Sequence, residues 1–366
     1  MKGSWVLGKV AGIKIQVHWT FTLLLLWVLF SNFRQGGDSA MALFSLALVL
    51  VLFLCVVLHE LGHALMARKY DITTRSITLL PIGGVAALEK IPEKPKEELA
   101  VALAGPAVNA GIALLLFMAL PLGQYAGFGP EQWESFFSKP SAASFLVYLF
   151  MANAMLVAFN LIPAFPMDGG RVLRALLGFY YSRARATEIA ARLGQAVAFL
   201  FLLLGLFYNP FLVIIAVFVY FGAFAENQMV QQEDRLRGHT VREALLTQIS
   251  LLPCDATLQQ AIDLILQGTE KDFLVVREGS VCGILNNTEI AGNATRPETP
   301  VSEIMKTAFH PVHPDAGLAE TIQLMGREGQ KFMPVIEDGR LLGAISSENI
   351  TEFILFRTPS GHSAAS

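Results

Sequence analysis

Apolar positions dominate residues 1 to about 226, and beyond that point the pattern changes. Six apolar runs read as helical spans, 17–32, 41–67, 98–120, 144–162, 191–208 and 210–226. Several are short of the roughly 20 residues that a bilayer requires, so tilted or interrupted helices packed on one another are expected. The polar stretch ENQMVQQEDRLRGHT follows, and its residues 227–237 read as a linker into a soluble region. Two weakly similar segments then occupy 238–292 and 300–357. Each has a leading segment (VREALL, VSEIMK), a helix (TLQQAIDLILQ, GLAETIQLMGR), an apolar strand (DFLVVREG, FMPVIEDG) and a closing strand (VCGILNNTEI, LLGAISSENI). The period switches from helical to alternating within each segment, which predicts a tandem α/β repeat of about 60 residues per unit. Two such units are expected to bury a face against each other.

Composition agrees with a chain that is part membrane and part soluble. Only 16% of residues are charged and 54% are apolar, against roughly 25% charged in soluble domains. The net charge is −3 and no block of like charge is present, which argues against nucleic-acid binding. If the six runs alternate across a bilayer, one side collects fourteen Lys and Arg, among them Lys2, Arg68, Lys90 and Arg174, and the other has only Arg34 and Lys139. That asymmetry predicts a cytoplasmic N-terminus and a cytoplasmic tandem repeat. The N-terminal run lacks a small-residue cleavage pattern and reads as a retained span rather than a signal peptide. Cys55, Cys254 and Cys282 are far apart in sequence; neither a disulfide framework nor a thiolate metal cluster is expected, and a reducing setting suits the latter two.

Polar residues inside apolar runs are costly, so they point to a functional site. In VLFLCVVLHELGHALMARKY, His59 and His63 are four apart and share one helix face, a spacing that lets both imidazoles reach one zinc ion. Glu60 lies beside them, suited to take a proton from an activated water. The apolar run 41–58 would span about 27 Å as a helix, which puts the histidines toward the cytoplasmic end but below the lipid surface. A catalytic site needs a third ligand. Asp168 in NLIPAFPMDGGR is the candidate, because Pro163 and Pro166 forbid an undisturbed helix there. Irregular backbone at membrane depth lines a cavity or is buried in protein; an ordinary cytoplasmic turn explains the same spacing. His18 precedes the first span and is left out of the metal site.

The pairing of HELGH with NLIPAFPMDGG about a hundred residues later resembles the site-2 protease family of intramembrane zinc metalloproteases. The resemblance covers most of residues 1–226. It implies one zinc ion per chain, Asp168 as the third ligand and Glu60 as the catalytic base. AGPAVN resembles the family's G-x-x-x-N motif from Gly105 to Asn109, and Asn160 opens the aspartate motif. Side-chain amides at Asn109 and Asn160 could hold a substrate carbonyl or a developing oxyanion, and an interhelical hydrogen bond is the alternative for Asn109. SITLLPIGGVAAL, with Gly83 and Gly84, resembles a family β element near the active site that could pair with unwound substrate; a plain interfacial hairpin fits equally.

The tandem repeat resembles a pair of cystathionine-β-synthase (CBS) modules, which commonly bind adenine nucleotide. The second unit has Gly343, Ser346 and Asn349, with Asn349 where the family has an aspartate, and the first has Gly283, Asn286 and Glu289. Dimerisation or substrate docking is an equal expectation for this pair. The whole is expected to be a polytopic α-helical membrane protein with a short β element, followed by a cytosolic CBS pair. The resemblance implies a bacterial plasma-membrane protease acting on a membrane-anchored regulatory protein, such as a transcription-factor precursor or an anti-sigma factor. A catalytically silent adaptor and a CBS-gated transporter are the competing expectations.

Overall fold

A computed structural model describes residues 3–357 apart from 82, 89–91, 126 and 269. Lys2 and Lys90, two of the loop cations counted above, lie outside them. The chain divides into two compact units, Met1–Gln228 and Met229–Ser366.

The first unit begins with a hairpin that the apolar runs did not announce, β1 (Ser4–Val10) and β2 (Ile13–His18). Its turn residues Ala11 and Gly12 both have positive φ, 50° and 85°, the backbone that a tight hairpin needs. Ile13, Ile15 and Val17 alternate into the core. Helix α1 (Thr20–Arg34) follows and has 15 residues, about 22 Å, short for a roughly 30 Å hydrocarbon layer. The first predicted span, 17–32, is thereby corrected, since Val17 and His18 close a strand. Helix α2 (Ser39–Arg68) starts where the Asp38 carboxylate accepts the Met41 N–H at 2.8 Å. Strands β3 (Thr74–Leu80) and β4 (Gly83–Leu88) complete a four-stranded sheet of order β1-β2-β3-β4, in which β2 and β3 run parallel. One sheet face presses Ile13, Ile15, Val17, Ile77 and Leu79 onto Val57, Leu61 and Ala64 of α2. The outer edge of β4 pairs with no other strand among the described residues.

Six helices follow among the described residues, α3 (Pro95–Ala119), α4 (Pro130–Ser138), α5 (Ala142–Asn160), α6 (Asp168–Leu177), α7 (Arg183–Phe207) and α8 (Pro210–Leu236), and the last continues past Gln228. Five helices, α2, α3, α5, α7 and α8, are long and apolar enough to cross a membrane among the described residues. Helix α8 continues ten residues past its predicted end and absorbs the predicted linker. No Gly or Pro interrupts the chain before Gly238, and the Glu, Gln, Met and Arg residues there favour helix. Arg174, counted as a loop cation, is instead 1% exposed on α6. Its guanidinium meets Glu98 of α3 at 2.7 Å and Glu226 of α8 at 2.5 Å, and it lies 5.0 Å from the Phe165 ring. A buried charge is retained because these partners replace its water.

The second unit holds the two repeats. The first contains β5 (Leu251–Pro253), α9 (Leu258–Gln267), β6 (Phe273–Arg277), β7 (Ser280–Leu285) and α10 (Asn287–Asn293). Then come α11 (Val301–Ile304), α12 (Leu318–Glu328), β8 (Phe332–Glu337), β9 (Arg340–Ser346) and α13 (Ser347–Arg357). Sheet β5-β6-β7 has its counterpart in β8-β9, with Val312 bridging to Val335 in the place of β5. Leu274 and Ile284 of one repeat meet Phe332 and Ala344 of the other in a shared apolar cluster.

The leading segments are exchanged. Val241 and Ala244 sit in the core of the second repeat, where Leu246 bridges to Ala344 of β9. Val301 sits in the core of the first, where Lys306 bridges to Ile284 of β7. Strand pairing across the repeats decides this, which periodicity within each one could not reveal. Cys254 and Cys282, expected to be separate thiols, are paired with each other inside the first repeat. The parallel β5–β6 and antiparallel β6–β7 pairings close the gap of 28 residues between them.

Candidate metal centre

Helix α2 stacks His59 and His63 one turn apart, and both are buried. Their Nε2 atoms are 3.1 Å from each other. Asp168 opens α6, so its carboxylate occupies the positive end of that helix dipole. Its Oδ2 lies 3.1 Å from His59 Nε2 and 3.2 Å from His63 Nε2. The three atoms make a nearly equilateral triangle. Ligand atoms bound at 2.0–2.1 Å to a tetrahedral zinc stand about 3.3–3.4 Å apart, so a small outward adjustment fits the metal. The donor chemistry agrees, because the Nδ1–H of His63 donates to the Val101 carbonyl at 2.7 Å and leaves Nε2 as a lone pair directed at Asp168.

Helix α3 can lie against this triangle because residue 105 is glycine. A Cβ there would collide with Nε2 of both histidines. One turn later Asn109 stands behind His59, with its Oδ1 2.5 Å from His59 Nδ1. Its Nδ2 donates to Asn153 Oδ1 of α5 at 2.8 Å. The interhelical hydrogen bond expected as the alternative at Asn109 is present: the amide is fully buried and both of its ends are engaged behind the histidine.

Glu60 is half-buried on the adjoining face of α2. Gly84 of β4 packs against it so closely that a Cβ would come within 2.7 Å of Glu60 Cγ. The expected β element is therefore present as β3 and β4, and its edge strand β4 runs beside Glu60. Gly83 opens β4 with φ 138° and open space around it. Asn160 is the last residue of α5 and is half-buried. The sequence motifs did not single out Asn153 or the ion pairs of Arg174. The signal for the first was an amide in the middle of the apolar run AASFLVYLFMANAMLVAFN, well before Asn160 at its end.

At the tandem repeat, Ser346 Oγ accepts the Asn349 N–H at 3.0 Å at the start of α13. Asn349 Oδ1 is buried and has no hydrogen-bond partner. Glu289, the acid of the first repeat, is paired with Lys306 at 2.8 Å.

Comparison with known proteins follows the same residues. The sequence pattern of "Peptidase family M50" matches residues 47–204, a range that contains His59, Glu60, His63 and Asp168. "Zinc metalloprotease MJ0392" of Methanocaldococcus jannaschii is 34% identical over 344 residues, 93% of each chain. The chain belongs to peptidase family M50. This M50 chain is also 27% identical to "Putative zinc metalloprotease Rip3" of Mycobacterium tuberculosis, over 97% of its length and 93% of that protein. The solved "Site-2 Protease from Methanocaldococcus jannaschii" is 39% identical over 61% of this chain and 95% of that one, with a TM-score of 0.44. A "CBS domain" pattern matches residues 301–355. The M50 protein is thus a multi-pass site-2-type zinc metalloprotease joined to a CBS module, and its cofactor is zinc.

Proposed function

We propose that this M50 protease uses His59, His63 and Asp168 as zinc ligands and Glu60 as general base to cut a membrane-anchored regulatory protein within or near its transmembrane segment. The observation that carries the reading is the triangle of ligand atoms, 3.1–3.2 Å on a side, with Glu60 next to it in sequence. Zinc, when bound there, polarises the scissile carbonyl and lowers the pKa of water. Glu60 takes the proton of the attacking water and passes it to the leaving amine. A helical substrate must first unwind, because its carbonyls are already hydrogen-bonded. The free edge of β4, with Gly83 and Gly84, offers backbone groups to the unwound segment, and the half-buried amide of Asn160 can hold a substrate carbonyl.

The CBS pair lies on the cytoplasmic side in this reading and regulates cleavage. Ser346 and Asn349 are the residues through which it would take adenine nucleotide, and it also offers a dimer surface. A transcription-factor precursor and an anti-sigma factor are the substrate classes proposed. The test uses purified wild type, Glu60→Gln and Asp168→Ala in detergent, with zinc per chain and cleavage of a panel of single-span substrates measured. One zinc in wild type and Glu60→Gln, less in Asp168→Ala, and cleavage by wild type alone support the assigned roles. Zinc missing from metal-replete wild type would remove them and favour the silent adaptor. Solute flux that survives Glu60→Gln would favour the transporter. Flat calorimetric titrations with ATP, ADP and AMP would remove adenylate control.

A further inference from the structure

The amides behind His59 form a chain whose direction is fixed at its far end. The Leu149 carbonyl can only accept, and the Asn153 side chain donates to it from Nδ2 at 2.8 Å, with Cys55 Sγ as a second acceptor at 3.6 Å. The Oδ1 of Asn153 must then face Asn109, where it accepts from Nδ2 at 2.8 Å. That leaves the Oδ1 of Asn109 toward His59 Nδ1 at 2.5 Å. An oxygen acceptor requires the ring proton on Nδ1, so the Nε2 lone pair turns to Asp168 and His63. Asn109 and Asn153 are each 0% exposed, so no water competes to turn either amide round. His63 reaches the same tautomer in a single step, through the Val101 carbonyl.

We propose that Asn153 is a positioning residue for the metal centre: by fixing the orientation of the Asn109 amide, it holds His59 in the Nδ1–H tautomer and so sets zinc affinity. It does this from a helix that supplies no zinc ligand. The proposal rests on the zinc-ligand assignment above, and its tautomer readout is taken without zinc, so the two can fail separately.

The experiment uses the full chain in detergent, labelled at histidine with nitrogen-15. Solid-state NMR of the zinc-free protein reports the ring tautomer, and competition with a chelator reports the zinc dissociation constant. Wild type should show His59 protonated at Nδ1. Asn153→Val should give mixed tautomers at His59 only and weaken zinc binding by about tenfold, at the low end for partners behind a metal ligand. Asn153→Asp should recover affinity to within about threefold, because a carboxyl group, charged or protonated, still accepts from Asn109 Nδ2. In an Asn109→Asp background no amide remains to be turned, so adding Asn153→Val should cost less than about twofold. Equal losses in both backgrounds, or an unchanged His59 tautomer in Asn153→Val, would overturn the proposal and leave Asn153 a packing residue. A wild type that shows the expected tautomer yet binds no zinc would strike the ligand assignment instead.

Discussion

Among the described residues, two clusters gather histidine and carboxylate ligand atoms within 4.8 Å: His59, His63 and Asp168 in the membrane unit, and His313, Asp315 and Glu337 in the CBS pair. The first is buried. In the second, His313 and Asp315 are exposed and Glu337 is partly so. Burial changes what proximity means. Each imidazole of the first cluster has its Nδ1 engaged by a buried group, Asn109 or Val101, so the Nε2 atoms are held toward one point. In the second cluster both carboxylates already share a cation, because Arg242 lies 3.2 Å from Asp315 and 2.6 Å from Glu337. His313 Nδ1 accepts the Asp315 backbone N–H at 3.3 Å. Both clusters mix imidazole and carboxylate within one small sphere; what separates them is the committed hydrogen bonds and the displaced water.

The largest effect expected from this contrast is at the carboxylates. Asp168→Ala should abolish both stoichiometric zinc and cleavage, whereas Asp315→Ala should leave zinc per chain unchanged, as read by metal analysis after gel filtration. Equal zinc loss from both would erase the distinction. Gly105→Ala should come next, since its new Cβ has nowhere to go but into both Nε2 atoms; zinc occupancy should fall well below one per chain while the helical circular dichroism persists. Arginine repeats the contrast without a metal. Arg174→Met strands buried Glu98 and leaves part-buried Glu226 without its partner, and removing one partner of a buried ion pair costs about 3–5 kcal/mol, readable as a lowered unfolding midpoint in mixed micelles. Arg242→Met, at an exposed pair, should move the melting temperature by less than about 2 °C. It should also recruit no second zinc at equimolar metal.

The parts of the molecule legible from sequence were those with a local signature. HELGH carries its geometry in a four-residue spacing, and the Pro and Gly around Asp168 mark a break in an apolar run. The order of helix and strand in each repeat was likewise plain from its period. The features that escaped depend on pairing between distant segments. The β1–β2 hairpin hid inside a stretch read as the approach to a span, although Ile13, Ile15 and Val17 alternate. For Asn109 the motif left a substrate contact and an interhelical hydrogen bond both open, because nothing local connected it to Asn153, 44 residues on. The stretch 227–237 read as a linker because it is polar, although its Glu, Gln, Met and Arg residues also favour helix.

The exchange of leading segments between the two repeats bears on how such a module can be inherited or shortened. Each repeat's interior is closed by a stretch of chain that sequence order assigns to its neighbour, Val241 and Ala244 in one case and Val301 in the other. A gene shortened after residue 292 would therefore delete one repeat and open the core of the survivor as well. The unit that can be gained, lost or transplanted whole is the pair, beginning ahead of Val241 and running to the end of α13.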